Sequence, residues 1–192
     1  MTRLKNIFVS TTFAEDDSKI SDVLATCKKE NISNVELGSN HIYEKNFKKI
    51  IQQYNFRFLV HNYFPIPRKS FVVNIASLNK QIRTISIQHV KKAINFCKVT
   101  NSKLYTVHPG FLADPITASR TKNNYDFIWN NNNLNQNYNS AFNYMLSSLK
   151  KIVHFAKDKK VRVAIETEGS FKKKNLLLMQ KPNEYNELFK YF

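Results

Sequence analysis

Five short apolar runs alternate along the chain with stretches that carry apolar residues at helical spacing. No other feature restricts the fold as much. Ile7–Val9 is the first run, followed by a stripe at Ile20, Val23, Leu24 and Cys27, spaced i, i+3, i+4, i+7. Asn34–Leu37 is the second, ending in Gly38, and the stripe after it is Phe47, Ile50, Ile51 and Tyr54. Phe56–Val60 is the third and runs into His61; a loop over 62–76 leads to a helix carrying Ile87, Val90, Ile94 and Cys97. Lys103–Val107 is the fourth, followed by a long segment and a helix with Phe142, Met145, Leu149, Ile152, Val153 and Ala156, for which Ser140 is the expected N-cap. Val161–Ile165 is the fifth, and a last helix starts near Pro182 with Tyr185, Leu188, Phe189 and Phe192. Asn31 and Asn101 stand at helix exits, where a left-handed residue is wanted and Asn tolerates that conformation.

Strands alternating with helices imply an α/β fold with a parallel sheet and helices outside it. The runs are short and nearly all apolar, as in strands covered on both faces. An open doubly wound sheet and part of a (β/α)8 barrel both fit. GxGxxG and GxxxxGK[ST] are absent, which weakens nucleotide-binding open-sheet readings. A chain of 192 residues is expected to form one domain, residues 1–192. Residues 111–139 read as a long polar loop insertion with an Asn-rich tract at 130–133, in which Phe127 and Trp129 are expected to pack on something.

Composition narrows the classes further. Fifteen Phe and nine Tyr argue against a disordered chain. No run approaches the roughly 20 apolar residues of a membrane span. The N-terminal MTRLKNIFVSTTF lacks a signal-peptide core and cleavage site, so a cytoplasmic protein is expected. Cys27 and Cys97 lie on apolar helix stripes and read as buried thiols. The net charge of +16 points to a nucleic-acid or phosphate partner, or to an A/T-rich coding sequence heavy in Lys, Asn and Ile. The lysines are scattered with few aromatics between them, which favours the second account.

In either architecture ligands bind at the carboxyl ends of the strands. Polar residues recur there: Glu36 in the second strand, His61 after the third, His108 after the fourth, Glu166 and Glu168 after the fifth. Neighbouring strands are roughly 4.8 Å apart. His61, His108 and Glu166 at equal height on three strands would converge on one ion. Two imidazoles and a carboxylate suit Zn²⁺ or Mn²⁺ better than Mg²⁺, and three protein ligands leave a position open for chemistry. Any one such residue alone is an ordinary loop residue. His41, His89 and His154 are expected to be solvated, on loops or helix surfaces.

The ordered stretches Val35-Glu36-Leu37-Gly38, His61-Asn62-Tyr63-Phe64-Pro65, Asn74-Ile75-Ala76-Ser77 with Ile82-Arg83 and Ser86-Ile87, Val107-His108-Pro109-Gly110-Phe111 and Ala164-Ile165-Glu166-Thr167-Glu168-Gly169 resemble the xylose isomerase-like TIM barrels. That family includes sugar and sugar-phosphate isomerases and epimerases, and endonuclease IV. The resemblance implies eight β/α units with a divalent-metal site at the carboxyl ends of the strands. His61 and His108 match the His residues after strands three and four in endonuclease IV-like members, and Glu166 matches the metal-binding Glu after strand five. Such barrels take about 250 residues, so an incomplete barrel of about five parallel strands is expected. The further ligands that the family draws from strands six to eight are not expected here.

The first functional expectation is therefore a divalent-metal-dependent sugar or sugar-phosphate isomerase or epimerase-like domain. Glu166, His61 and His108 hold the metal or substrate in that reading, and Glu36 or Glu168 handles the proton. The second is an endonuclease IV-like phosphodiesterase acting on damaged DNA. The third is a non-catalytic fragment completed by another polypeptide or by self-association.

Overall fold

The computed structural model describes residues 7–15, 17–39, 41–121, 124–129, 137–170 and 174–192. Its strands are β1 (Val9–Ser10), β2 (Asn34–Leu37), β3 (Arg57–His61), β4 (Leu104–Val107), β5 (Pro115–Thr121), β6 (Asn124–Trp129) and β7 (Arg162–Ile165). Its α-helices are α1 (Ile20–Lys29), α2 (Phe47–Gln52), α3 (Lys80–Val99), α4 (Tyr138–Asp158) and α5 (Pro182–Phe189). One sheet has five strands in the order β1–β2–β3–β4–β7, with the β1–β2, β2–β3 and β3–β4 ladders parallel; β5 and β6 form a separate antiparallel pair. The α/β architecture with five sheet strands and intervening helices is the one the alternating pattern calls for.

Three helices hand the chain to the next strand by the same device. Asn31, Asn101 and Lys160 have φ of 59°, 52° and 56°. The amide just beyond each one reaches back into the helix: Ile32 to the Cys27 carbonyl at 2.8 Å, Ser102 to Cys97 at 2.9 Å, and Val161 to Ala156 at 3.1 Å. A left-handed residue lets the chain reverse while helix-end carbonyls keep a donor. The two asparagines were legible in the sequence. Lys160 was not, since a long side chain gains nothing from that backbone conformation.

Register separates the two faces of the sheet. Side chains alternate along a strand, and paired residues on parallel strands share a face. Val35 pairs with Phe58, Leu37 with Val60, and Val60 with Tyr105. These residues and Val107 are buried. On the other face Ser10 pairs with Glu36, Glu36 with Leu59, and His61 with Thr106, all of intermediate exposure. β3 extends one residue beyond the expected Val60, so His61 belongs to the ladder itself.

Two compact units can be described separately. One takes residues up to Ser70, Val90–Val107 and Phe155–Ala164. Its core includes Leu24, Cys27, Ile94, Cys97 and Tyr105, each fully buried. Phe47, Phe64 and Phe96 form an aromatic triangle with centroids 5.3–5.9 Å apart. The thiols of Cys27 and Cys97 are free and buried, as the helix stripes indicate.

The other unit takes Phe71–His89, His108–His154 and Ile165–Phe192. Here the segment expected to be a polar loop, 111–139, contains two strands among its described residues. β5 and β6 make a hairpin, and Phe111, Phe127 and Leu177 form a core against which Val72 and Trp129 pack. The Phe111–Phe127 centroids are 4.8 Å apart and edge-on. Phe127 and Trp129 do pack, and the period-two spacing of Tyr125, Phe127 and Trp129 was the overlooked strand signal. The Asn-rich tract at 130–133 lies outside the described residues. The cap of α4 is Asn137, whose side-chain oxygen accepts from the Asn139 amide at 2.8 Å, not Ser140, which lies inside the helix. In α5 only Leu188 of the expected stripe is buried; Phe189 and Phe192 are more than half exposed.

Candidate metal centre

His61 closes β3, and its register partner on β4 is Thr106. Two residues beyond Thr106, on the same face by alternation, comes His108. Glu166 directly follows β7, the next strand in the sheet. The chain thus sets two imidazoles and a carboxylate at the ends of neighbouring strands by covalent continuity and pairing. One ligand atom of each of His61, His108 and Glu166 lies within 4.8 Å of the other two.

Backbone contacts hold both histidines. The Asn62 amide donates to the Thr106 carbonyl at 2.9 Å, and the Tyr105 hydroxyl donates to the Asn62 carbonyl at 2.6 Å. Tyr105 is fully buried, and burial raises its pKa far above the usual phenol value, so it remains a donor at every working pH. The Phe64 amide donates to the His61 carbonyl at 2.9 Å and closes the turn after β3.

His108 is 8% exposed, and its Nδ1 lies 3.1 Å from the backbone carbonyl of Glu166. A carbonyl oxygen only accepts, so Nδ1 carries a proton, and in the neutral form of the ring the lone pair is on Nε2. Fixing a tautomer through the second nitrogen is how proteins prepare a histidine for a metal. Nε2 faces the Glu168 carboxylate with Oε2 at 3.6 Å. Glu168 Oε1 accepts from the Gly169 amide at 2.9 Å, which orients the carboxylate.

The donor set fits a divalent ion. Ligand atoms about 2.1 Å from a tetrahedral ion stand about 3.4 Å apart, so spacings of up to 4.8 Å would close by up to about 1.4 Å, within reach of side-chain rotation. Two imidazole nitrogens and one carboxylate oxygen are the ligand types of Zn²⁺ and Mn²⁺ sites. Thr106 Oγ1, on the same face, is buried and has no hydrogen-bond partner among the described residues. It leaves a polar group for a water or a substrate hydroxyl. Thr106 was missed in the sequence, although period-two counting back from His108 reaches it.

Glu36 shares this face, on β2, beside Leu59 and two residues below the level of His61. It is not part of the three-residue ligand group. His154 is exposed, as expected. His41 and His89 are not solvated: each is 5% exposed. His41 Nε2 is hydrogen-bonded to Thr11 Oγ1 at 2.8 Å, and burial lowers its pKa below the usual histidine value despite the nearby Ser18 backbone and Glu44. His89 sits edge-on to Phe71 with centroids 5.7 Å apart. A loop position and a helix position respectively gave no hint of these contacts, which come from residues distant in sequence.

The loop carrying His108 is fixed by Asn74. Its side chain accepts from the Phe111 amide at 3.0 Å and the Ala76 amide at 3.1 Å, and donates to the Phe111 carbonyl at 3.2 Å and Asp114 at 2.7 Å. Gly110 has φ of 105°, and a Cβ there would stand 2.5 Å from Asn74 Oδ1. Only glycine lets the backbone come this close in that conformation.

Among the described residues no helix is long and apolar enough to cross a membrane. No curated protein matches the chain. A D-tagatose 3-epimerase-like protein superposes with a TM-score of 0.66 at 19% identity, covering 95% of this chain and 59% of that one. The D-psicose 3-epimerase of Clostridium cellulolyticum H10, solved with D-tagatose, gives 0.60 at 10% identity, covering 95% and 58%. The TTHB071 protein of Thermus thermophilus, from a crystal soaked with ZnCl2, gives 0.50 at 11%, covering 83% and 54%. The chain therefore spans under three-fifths of the length of each, and these likenesses establish the fold. The family described as "Xylose isomerase-like TIM barrel" matches residues 21–180. With most of its length matched, the chain belongs to the xylose isomerase-like TIM barrel family.

Proposed function

We propose that the chain carries the first five β/α units of a divalent-metal-dependent sugar isomerase or epimerase. The observation that carries this reading is the approach of His61, His108 and Glu166 to within 4.8 Å of one another at the carboxyl ends of adjacent strands. Relatives of the same fold support the substrate class: one is a D-tagatose 3-epimerase-like protein and another was solved with D-tagatose bound.

His61 Nδ1 or Nε2, His108 Nε2 and a Glu166 carboxylate oxygen are the ligands in this reading. A divalent ion bound there supplies Lewis-acid polarisation of a sugar carbonyl and the adjacent hydroxyl. The protein's own task is the proton. Glu168, beside His108 and hydrogen-bonded to the Gly169 amide, takes the proton from the carbon next to the carbonyl. Glu36, on the same sheet face and starting protonated, gives its own proton to the opposite side of that carbon, so that inversion leaves Glu168 protonated and Glu36 ionised. Thr106 Oγ1 holds a substrate hydroxyl.

Calorimetric titration with Zn²⁺ and Mn²⁺ tests the site. The native chain binds one equivalent, and Glu166→Gln weakens binding by about tenfold or more. Unchanged affinity in Glu166→Gln removes the assignment. Substrate class is tested separately by saturation-transfer NMR with ketohexoses on the metal-loaded chain; failure there with intact metal binding leaves the metal site and removes the sugar.

A further inference from the structure

In a parallel β/α sheet every helix C-terminus and every strand N-terminus arrives at the same end. Lysines that are scattered in the sequence are gathered there by this topology. The segments that join α1 to β2, α2 to β3, α3 to β4 and α4 to β7, residues 28–34, 52–57, 98–103 and 157–162, contain nine Lys or Arg and two acids, Glu30 and Asp158. Eight of the nine basic side chains are exposed and Lys159 is half-buried. All belong to one compact unit.

Three of these cations stand at strand starts, Arg57 on the His61 face of the sheet and Lys103, by alternation with Tyr105, on the other. Arg57, Lys103 and Arg162 stand at the starts of β3, β4 and β7, consecutive strands of the sheet, and the Arg162 amide donates to the Lys103 carbonyl at 2.8 Å. Strand spacing sets them about 4.8 Å apart at the backbone. Aromatic rings support the cations: Arg57 lies over Phe8 at 5.4 Å, and Lys91 and Lys159 flank Phe155 at 5.1 and 5.2 Å.

Helix capping accounts for only part of this. Lys28, Lys29, Lys98 and Lys157 sit in or next to last turns, where a cation meets the helix dipole. Arg57, Lys103 and Arg162 are on strand starts, outside any helix. Lys160 occupies the left-handed position filled by Asn at two equivalent sites, where local stability would choose Asn or Gly. Mutual repulsion among these charges is unfavourable without a counter-charge.

We infer that this end of the sheet binds the phosphate backbone of a nucleic acid. The face lies at the opposite end of β3 from His61, four residues or about 13 Å away along the strand, and shares no residue with the candidate metal centre. Nine exposed or half-buried cations against two acids at one end of the sheet suit a polyanion.

The test is fluorescence anisotropy of a labelled DNA duplex of about 20 base pairs with the full chain, in salt from about 50 to 200 mM. Two variants are compared. The first combines Lys98→Gln, Lys103→Gln, Lys159→Gln, Lys160→Gln and Arg162→Gln. The second removes five charges elsewhere through Lys45→Gln, Lys48→Gln, Lys49→Gln, Lys80→Gln and Lys190→Gln. Circular dichroism melts confirm that both are folded, since nearly all these side chains are exposed. The expected result is a loss of at least about tenfold in affinity, with a salt slope shallower by about three, in the first variant only. Equal losses in both variants overturn the inference, because diffuse charge then explains the binding. So does binding of polyglutamate, or of phosphatidylserine vesicles, as tight as that of the duplex.

Discussion

The side-chain amide of Asn74 pairs with both backbone groups of Phe111, accepting from its N–H at 3.0 Å and donating to its carbonyl at 3.2 Å. One buried side chain thereby imitates a strand edge and locks the loop that begins at His108. The Asn74 backbone is held in turn, its amide donating to Ser86 Oγ on α3 at 2.9 Å. Rigid support of this kind is what the proposed ligand role of His108 would require.

Asn74→Ala strands the Phe111 and Ala76 amides and the Phe111 carbonyl in a buried setting. Each orphaned buried group costs about 1–3 kcal/mol, so the variant loses at least about 3 kcal/mol in urea unfolding. Asn74→Asp keeps the acceptor but loses the donor and faces Asp114, 2.7 Å from the present nitrogen, so it recovers little of that loss. A loss below about 1 kcal/mol would show that the network does not support the loop.

Gly110→Ala tests the same loop from the other side. A φ of 105° and a Cβ 2.5 Å from Asn74 Oδ1 leave a methyl no place. The variant should unfold about 3 kcal/mol more easily and bind Zn²⁺ more weakly than the native chain. Gly169→Ala is the control, since a Cβ there has nothing within 4 Å.

His41 makes stability depend on pH. Burial holds its folded pKa below the unfolded value of about 6.5. The unfolded chain therefore binds the proton first, and stability falls as pH drops below about 6.5 toward the folded pKa; above that window His41 contributes no pH dependence. Between about pH 7.5 and pH 5.5 the urea midpoint should fall further in the native chain than in His41→Gln. Equal declines would place the acid sensitivity elsewhere.

Cys97 should be inert. Burial pushes its pKa up to about 12, against a smaller opposing effect from Ser102, and burial also raises Cys27. The thiolate is the reactive form. A disulfide reagent at about pH 8 should therefore modify neither thiol in the folded chain and both once urea is added. Fast labelling without denaturant would show that α1 and α3 open readily.

Much of this molecule was readable before folding. The α1 stripe is buried residue for residue, and Asn31 and Asn101 take the left-handed turns assigned to them. Local rules suffice for such features, because period, cap and turn depend on residues a few positions apart. The hairpin of β5 and β6 was harder to see. Its first strand, Pro115–Thr121, is mostly polar, and it is ordered with the help of a core that Leu177 supplies from far along the chain. Asn74 looked like one letter of a family resemblance, and its role depends on partners 12 to 40 residues away.

The sequence by itself determined the alternation of strands and helices, and with it which residues stand at strand ends. Alternation is a property of local hydrophobic period, which survives without any tertiary contact. Only the tertiary structure decided that strand order places β3, β4 and β7 side by side, since pairing between segments far apart in the chain is not written in any local period. That order brings His61, His108 and Glu166 within reach of one another, and the same order gathers Arg57, Lys103 and Arg162 at the strand starts of the other end.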